Sequence, residues 1–171
     1  MRHVQPIWAE LADNALLRMG AGPDVVARHA RGGLVYLASP VTCRFGAHGP
    51  ISVADDRVML DILLQECGLD LGALAEAGVT AVSPVVQSLS MVAARGESLR
   101  HTPWGVLDAA RWQRWCWPLL VRCSAAYVPA RSGWWASEGV AMEVRAALER
   151  NCQVFVQAAR VPAMVAEGGG L

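Results

Sequence analysis

Short, continuous apolar runs alternate with longer stretches of mixed polarity along most of the chain. An apolar run that ends at a proline or a turn predicts a strand buried on both faces, as the strands of parallel sheets are. Four segments fit this pattern and are predicted to be strands: 33–39, 79–83, 125–128 and 152–156.

The segments between these runs carry helical periodicity and helix-start signals. A helix with a break at Gly68 is predicted between Ser52 and Ala77. The polar stretch from Gln87 to His101 then separates the two halves of the chain.

Two further helices are predicted in the second half. One begins at Thr102, with Pro103 at its first position, and is kinked or restarted at Pro118. After a glycine-containing loop over 131–136, Ser137 caps the other helix, from Glu138 to Arg150.

The first 32 residues are predicted to form a helical extension, because apolar side chains recur there at helical spacing and Pro23 starts a second short helix. The recurring residues are Trp8, Leu11, Ala15 and Met19. This apolar stripe packs either on the flank of the same domain, which we favour, or on a second subunit.

Strands that alternate with helices predict an α/β fold, with an open, mostly parallel, flavodoxin- or Rossmann-like sheet and helices on both faces. Its N-terminal extension covers 1–32, the α/β domain 33–160 and a flexible tail 161–171. Ligands of such sheets bind beyond the carboxyl ends of the strands.

Composition narrows the possible functions. The 171 residues are 54% hydrophobic and only 18% charged, which suits one domain with a sizeable core. Fifteen basic residues balance fifteen acidic ones, so no basic field favours a nucleic-acid partner. None of the basic residues is lysine, which excludes Schiff-base chemistry, pyridoxal phosphate and a P-loop.

Cysteine and histidine spacing predicts no metal site, because the five cysteines form no CxxC pair and the four histidines lie far apart. The scattered cysteines and the lack of a signal-peptide pattern predict a soluble, cytoplasmic protein. The longest uncharged run, 77–94, reads as strand and loop, so no membrane partner is expected.

Glu143 is the best candidate for chemistry. On a helical wheel it lies about 60° from Val140, beside the apolar arc, and so points to the edge of the sheet near the expected crevice. Burial would raise its pKa and the helix dipole would lower it, and the sequence leaves open which effect is larger. An ordinary ion pair with an arginine is the alternative role.

Two motifs carry a resemblance to a known superfamily. The run Val35-Tyr36-Leu37-Ala38-Ser39-Pro40 and the turn from Gly133-Trp134 to Ser137-Glu138-Gly139 and Glu143 lie at the ends of predicted strands. Over about 33–156 the chain resembles the nucleoside 2-deoxyribosyltransferase-like superfamily, nearest a branch catalogued as a domain of unknown function with Y-L-A-S-P and G-W-x-x-S-x-G-x-x-x-E motifs.

The resemblance implies a role for each matched residue. Glu143 matches the glutamate that attacks the anomeric carbon of a deoxyribose, and Tyr36 matches a tyrosine that contacts this carboxylate and the sugar. Ser137 matches the phosphate-binding serine of the deoxynucleoside 5'-monophosphate N-hydrolases, where transferases have an aspartate.

A phosphate at this turn is also reasonable physically, because a helix N-terminus offers free amides to an anion. Gly139 and Ser39 complete the predicted substrate-binding set within the two motifs. Thr42 and Arg44 could add bonds to the same phosphate, although an ordinary solvated loop is at least equally consistent with them.

One position departs from the superfamily pattern. Cys116 stands where active members carry the aspartate that protonates the leaving base, so either another acid serves or the site is impaired. Asp108 is the nearest carboxylate, and a solvated helix residue is its alternative role.

Two groups of tryptophans are candidate aromatic surfaces. Trp112, Trp115 and Trp117 could form a base-stacking platform, but we favour core or subunit contact for them. Trp134 and Trp135 lie in the loop over the predicted pocket, where one of them could stack on the nucleobase, although the Gly-Trp pattern of the family also suits a structural role.

These observations lead to one hypothesis and several alternatives. The hypothesis is an N-glycosidase that hydrolyses the base-sugar bond of a (deoxy)nucleoside 5'-monophosphate, without a cofactor or metal, with a nucleotide or nucleoside as its small-molecule partner. A deoxyribosyltransferase, a non-catalytic nucleotide-binding or regulatory protein and a structural partner protein are the alternatives. Because relatives commonly assemble, we expect a homodimer or a larger homo-oligomer.

Overall fold

The computed structural model describes residues 7–11, 13–41, 53–94 and 109–161, with side chains of the third range from residue 57 and of the fourth from residue 110. Within these residues one sheet of five parallel strands is flanked by helices, which confirms the α/β prediction. The strands are β1 (Leu17–Met19), β2 (Leu34–Leu37), β3 (Thr80–Val82), β4 (Ala125–Val128) and β5 (Gln153–Val156).

The spatial order of the strands is β1-β5-β4-β2-β3. Tyr36 on β2 is in register with Val82 on β3 and Ala126 on β4. The chain therefore leaves β2 for β3 on one side and returns to β4 on the other. In open parallel sheets the ligand crevice forms at such a change of direction, beyond the carboxyl ends of the two central strands.

Strand β1 corrects the helix predicted through Met19. Leu17 pairs with Val154 of β5, so part of the predicted helical extension forms the edge of the sheet. Leu17 and Met19 are half-buried and Arg18 is exposed, which is the alternation of an edge strand. A helix remained a possible interpretation, because three residues are too few to distinguish the two-residue period of a strand from the 3.6-residue period of a helix.

The helices are α1 (Ile7–Glu10), α2 (Pro23–His29), α3 (Val53–Glu76), α4 (Pro84–Ala94), α5 (Ala109–Leu120) and α6 (Glu138–Glu149), with a 3₁₀ turn at Trp134–Ala136. Helix α1 is short, and its Ile7 and Trp8 are buried in the core of the same domain. Packing on the domain's own flank is therefore confirmed for Trp8 of the predicted stripe, and the stripe residues Leu11 and Met19 pack partly buried against the same core. The start of α2 at Pro23 is also confirmed.

Two helix predictions were wrong in detail, and of the kink or restart predicted at Pro118 only the restart is contradicted. Helix α3 continues through Gly68. Glycine costs a helix about 1 kcal/mol relative to alanine, and the burial of Leu63, Cys67 and Leu74 on α3 outweighs that cost. Helix α4 covers the first part of the polar stretch, to Ala94, and its Leu89 packs on α3. Helix α5 passes Pro118 without a restart.

The sheet separates two layers. Helices α1, α5 and α6 cover the face to which Tyr36, Ala126 and Val154 contribute. Helices α2 and α3 cover the opposite face, to which Val35 and Leu37 contribute. Tyr36 thus points from the centre of the sheet toward the layer that holds α5 and α6. No described helix is both long and apolar enough to cross a lipid bilayer.

Candidate active site

A hydrogen bond joins the central strand to helix α6. The Tyr36 hydroxyl donates to Oε1 of Glu143 over 2.6 Å. Tyr36 is fully buried and Glu143 is half-buried. The strand fixes one partner and the second turn of α6 fixes the other, so the carboxylate is held in one place on the sheet.

A cavity of about 390 Å³ opens over this pair. It lies between α4, α5 and α6, and each helix contributes residues about one turn apart: Pro84, Val85, Ser88 and Leu89; Trp112, Gln113, Cys116, Trp117 and Leu120; Glu138, Gly139, Met142, Glu143 and Ala146. Tyr36 and Val41 complete the described wall. The volume and the largely apolar wall are typical of a small-molecule site.

Burial sets the protonation of Glu143. It raises the pKa of the carboxyl from 4.5 to about 7, and the hydrogen bond from Tyr36 opposes part of that rise. The effect of burial on the pKa is thus larger than that of the hydrogen bond from Tyr36. At neutral pH the group exchanges readily between its acid and its carboxylate.

Cys116 completes a cluster with Tyr36 and Glu143. Burial and the nearby Glu143 charge raise the pKa of its thiol to about 12, while a hydrogen bond with Tyr36 lowers it. Burial, followed by the charge of Glu143, also raises the pKa of Tyr36 well above its usual value. Both groups therefore keep their protons at neutral pH, and Glu143 alone of the three titrates there.

The start of α6 is built by Ser137, as predicted. Ser137 is the N-cap, and its hydroxyl accepts a hydrogen bond from the Val140 amide over 3.3 Å. It is only 2% exposed and does not line the cavity. Gly139 does line it. The Ser137 hydroxyl, which the resemblance assigns to phosphate binding, thus caps α6, while Glu138 and Gly139 of the first turn line the cavity.

Trp134 lies in the core rather than over the cavity. It is 2% exposed and packs edge to face on Trp8, with ring centroids 4.7 Å apart. The Trp8 indole donates to the Trp135 carbonyl over 3.0 Å. Of the two roles left open for Trp134, the placement favours the structural one.

Ser39 belongs to a different cluster from Glu143. It is buried beside Cys67 of α3, and it does not line the cavity. Nearby, Arg131 makes two hydrogen bonds to Asp70, of 2.7 and 3.0 Å. This ion pair ties the loop after β4 to α3.

Three predicted site residues, Thr42, Arg44 and Asp108, lie outside the described residues. Among the residues that are described, no group of histidine, cysteine and acidic side chains could hold a metal ion.

The tryptophans of α5 were predicted to make core or subunit contacts, and the core part of this prediction was wrong. None of them is in the fully buried core, and Trp112 and Trp117 line the cavity. Subunit contact stays a prediction. Trp117 is 49% exposed. A core face and a cavity wall share the same spacing on a helix, so the sequence pattern could not separate them.

Sequence reasoning gave no site role to Glu138, Gln113 and Met142, which all line the cavity. Glu138 lies inside one of the two motifs, at a position in the first helical turn where acidic residues are common. Met142 and Gln113 contact each other across α6 and α5, with 3.0 Å from Nε2 to Sδ. The sequence feature that could have found them is helical spacing. Met142 lies one turn after Glu138, and Gln113 lies one turn before Trp117.

Comparison with family models gives one match, to the family described as a domain of unknown function, DUF1937, over residues 33–159. The matched segment contains both motifs and the described cavity wall. No curated protein and no solved structure matches the chain.

Proposed function

The chain belongs to the domain of unknown function family DUF1937, and we propose that it is an N-glycosidase that hydrolyses the bond between base and sugar in a (deoxy)nucleoside 5'-monophosphate. The observation that carries the proposal is the 2.6 Å hydrogen bond that holds the Glu143 carboxyl at an apolar cavity. A carboxylate fixed in this way can attack an anomeric carbon.

The chemistry requires little else from the protein. The base leaves as the C1'–N bond breaks, and positive charge develops on the sugar as it does in retaining glycosidases. The Glu143 carboxylate stabilises that charge and bonds to C1', and water then releases the sugar. Tyr36 favours the ionised form by donating its hydrogen bond, which makes it an orienting group.

The contact between Tyr36 and Glu143 also supports the proposed kinship with the nucleoside 2-deoxyribosyltransferase-like superfamily, because that resemblance implies a tyrosine in contact with the nucleophile. The two residues are 107 positions apart in the sequence. Each belongs to a different one of the two motifs, so the fold brings the two motifs together at the central strand.

The phosphate is the part of the proposed substrate with the least support from side chains. Ser137 uses its hydroxyl to cap α6, and the exposed Glu138 carboxylate lies on the same turn as the cavity-lining Gly139. A nucleoside without phosphate is therefore the first comparison substrate. Equal rates for the nucleoside and its 5'-monophosphate would mean that the phosphate is not recognised, and the proposed substrate would then be a nucleoside.

The direct test is release of free base. Purified protein is incubated with ribo- and deoxyribonucleosides and their 5'-monophosphates, and free base is separated by chromatography. We expect release by the wild type, and no release by Glu143→Gln, which keeps the shape of the side chain. The matched control is Glu149→Gln on the same helix, an exposed residue outside the cavity wall. Base release that is the same in Glu143→Gln and wild type would refute the proposal.

One observation favours a second candidate, a nucleotide-binding or regulatory protein without turnover. Cys116 keeps its proton at neutral pH and stands where the resemblance places an acid. A nucleotide that raises the melting temperature while no base appears would support this candidate.

A further inference from the structure

A second carboxylate lines the cavity. Among its described wall residues, only Glu138 and Glu143 are acidic, and both belong to α6. Five residues along a helix place Glu138 about 7.5 Å nearer the N-terminus of α6 than Glu143. Glu138 is exposed, whereas Glu143 is half-buried.

The proposed reaction needs a group that accepts a proton from water when the glycosyl-enzyme is hydrolysed. The other polar groups of the described wall are poor candidates. Ser88 donates its hydroxyl to the Val85 carbonyl over 2.9 Å, and the Gln113 amide is not basic. Tyr36 donates to Glu143, and the thiol of Cys116 is protonated.

Gly139 follows Glu138 in the cavity wall and adds no side chain to it. A Cβ added at Gly139 would meet only the Ser137 hydroxyl, at 3.9 Å, so the described residues leave room in the wall beside Glu138. Because Glu138 is exposed, its carboxylate is accessible to water from solvent.

We propose that Glu138 is the general base of the second half of the reaction, an inference that rests on the proposed function. Glu138 takes a proton from water as the water oxygen bonds to C1'. The bond between C1' and Glu143 breaks, and its electron pair returns to the Glu143 carboxylate. The base that left in the first half with the electron pair of the C1'–N bond receives the proton from Glu138, so nucleotide and water give base and sugar phosphate.

The test is a rapid-mixing experiment on Glu138→Ala and Glu138→Gln, with the best substrate from the panel of nucleosides and monophosphates. We expect a first release of about one base per protein, as in the wild type, followed by steady turnover at least about 100-fold slower. Sodium azide, a nucleophile that needs no general base, should restore turnover in Glu138→Ala and give a glycosyl azide. Glu149→Gln should behave as wild type.

Each outcome decides the question. Steady turnover at the wild-type rate in both Glu138 variants, or slow turnover with no first release and no azide product, overturns the role of Glu138 and leaves the proposed function standing. A wild type that releases no base from any substrate overturns both. Circular dichroism and the melting temperature of the variants show whether α6 is intact.

Discussion

The Tyr36 hydroxyl lies 2.6 Å from Oε1 of Glu143, and this bond connects the centre of the sheet to the helix that follows β4. It works against burial, which raises the pKa of Glu143 to about 7. The protonation of one carboxyl thus depends on two opposing effects that single substitutions can separate.

Tyr36→Phe should shift the pH dependence of base release. Wild-type kcat/KM should rise with pH through about 7, because attack requires the ionised form of Glu143. Without the hydrogen bond that lowers its pKa, Glu143 should ionise at higher pH, so the rise in kcat/KM should occur at higher pH than in the wild type. The rate at pH 7 should fall about 10- to 100-fold, the loss expected for a hydrogen bond to a charged group. A pH-rate profile that is unchanged in Tyr36→Phe would contradict this role.

Glu143→Gln should be more stable than the wild type at alkaline pH. The pKa of Glu143 is near 4.5 in the unfolded chain and about 7 in the folded one, so folding binds protons and stability falls as pH rises from 4.5 to 7. The amide avoids this loss of up to about 3 kcal/mol. Urea unfolding at pH 4 and pH 8.5 measures the difference, which should be absent at pH 4. Equal stability at both pH values would show that Glu143 is not shifted.

Cys116→Ala should retain base release within about threefold of wild type, because a thiol with a pKa of about 12 transfers no proton at neutral pH. Cys152→Ala, a half-buried cysteine outside the cavity wall, is the control. A selective loss of at least about 100-fold in Cys116→Ala, with the fold intact, would identify the thiol as a working acid.

Trp117→Leu should affect substrate binding, whereas Trp134→Leu should affect stability. Trp134 is buried against Trp8, so its replacement should lower the free energy of unfolding by about 3 kcal/mol or more. Trp117 is 49% exposed in the cavity wall, so its replacement should raise KM while stability changes by less than about 1 kcal/mol. Chemical denaturation and substrate titration of both variants check the two placements. A raised KM in Trp134→Leu alone would reverse them.

The inner strands of the sheet, β2, β4 and β5, were predictable because they are largely buried and carry continuous apolar runs. Val35, Tyr36 and Leu37 are fully buried, which is the environment that such a run indicates. Strand β1 was not predictable from this signal, because the exposed Arg18 interrupts its apolar positions.

The candidate site was predictable in part. The helical wheel placed Glu143 beside the apolar arc of α6, and α6 does carry it to the cavity. The balance of burial and hydrogen bonding at Glu143 could not be read from the sequence, since it depends on Tyr36 and Cys116 from distant segments.

The central claim is that Glu143 bonds to the sugar, and covalent trapping tests it most directly. The protein is incubated with nucleosides and 5'-monophosphates that carry fluorine at C2' of the sugar, which slows hydrolysis of a glycosyl-enzyme, and is then digested for peptide mass spectrometry. The account predicts one added sugar, or sugar phosphate, per protein on the peptide that contains Glu143, and none in Glu143→Gln. Release of base by the wild type with no adduct, or with an adduct on another residue, would contradict it.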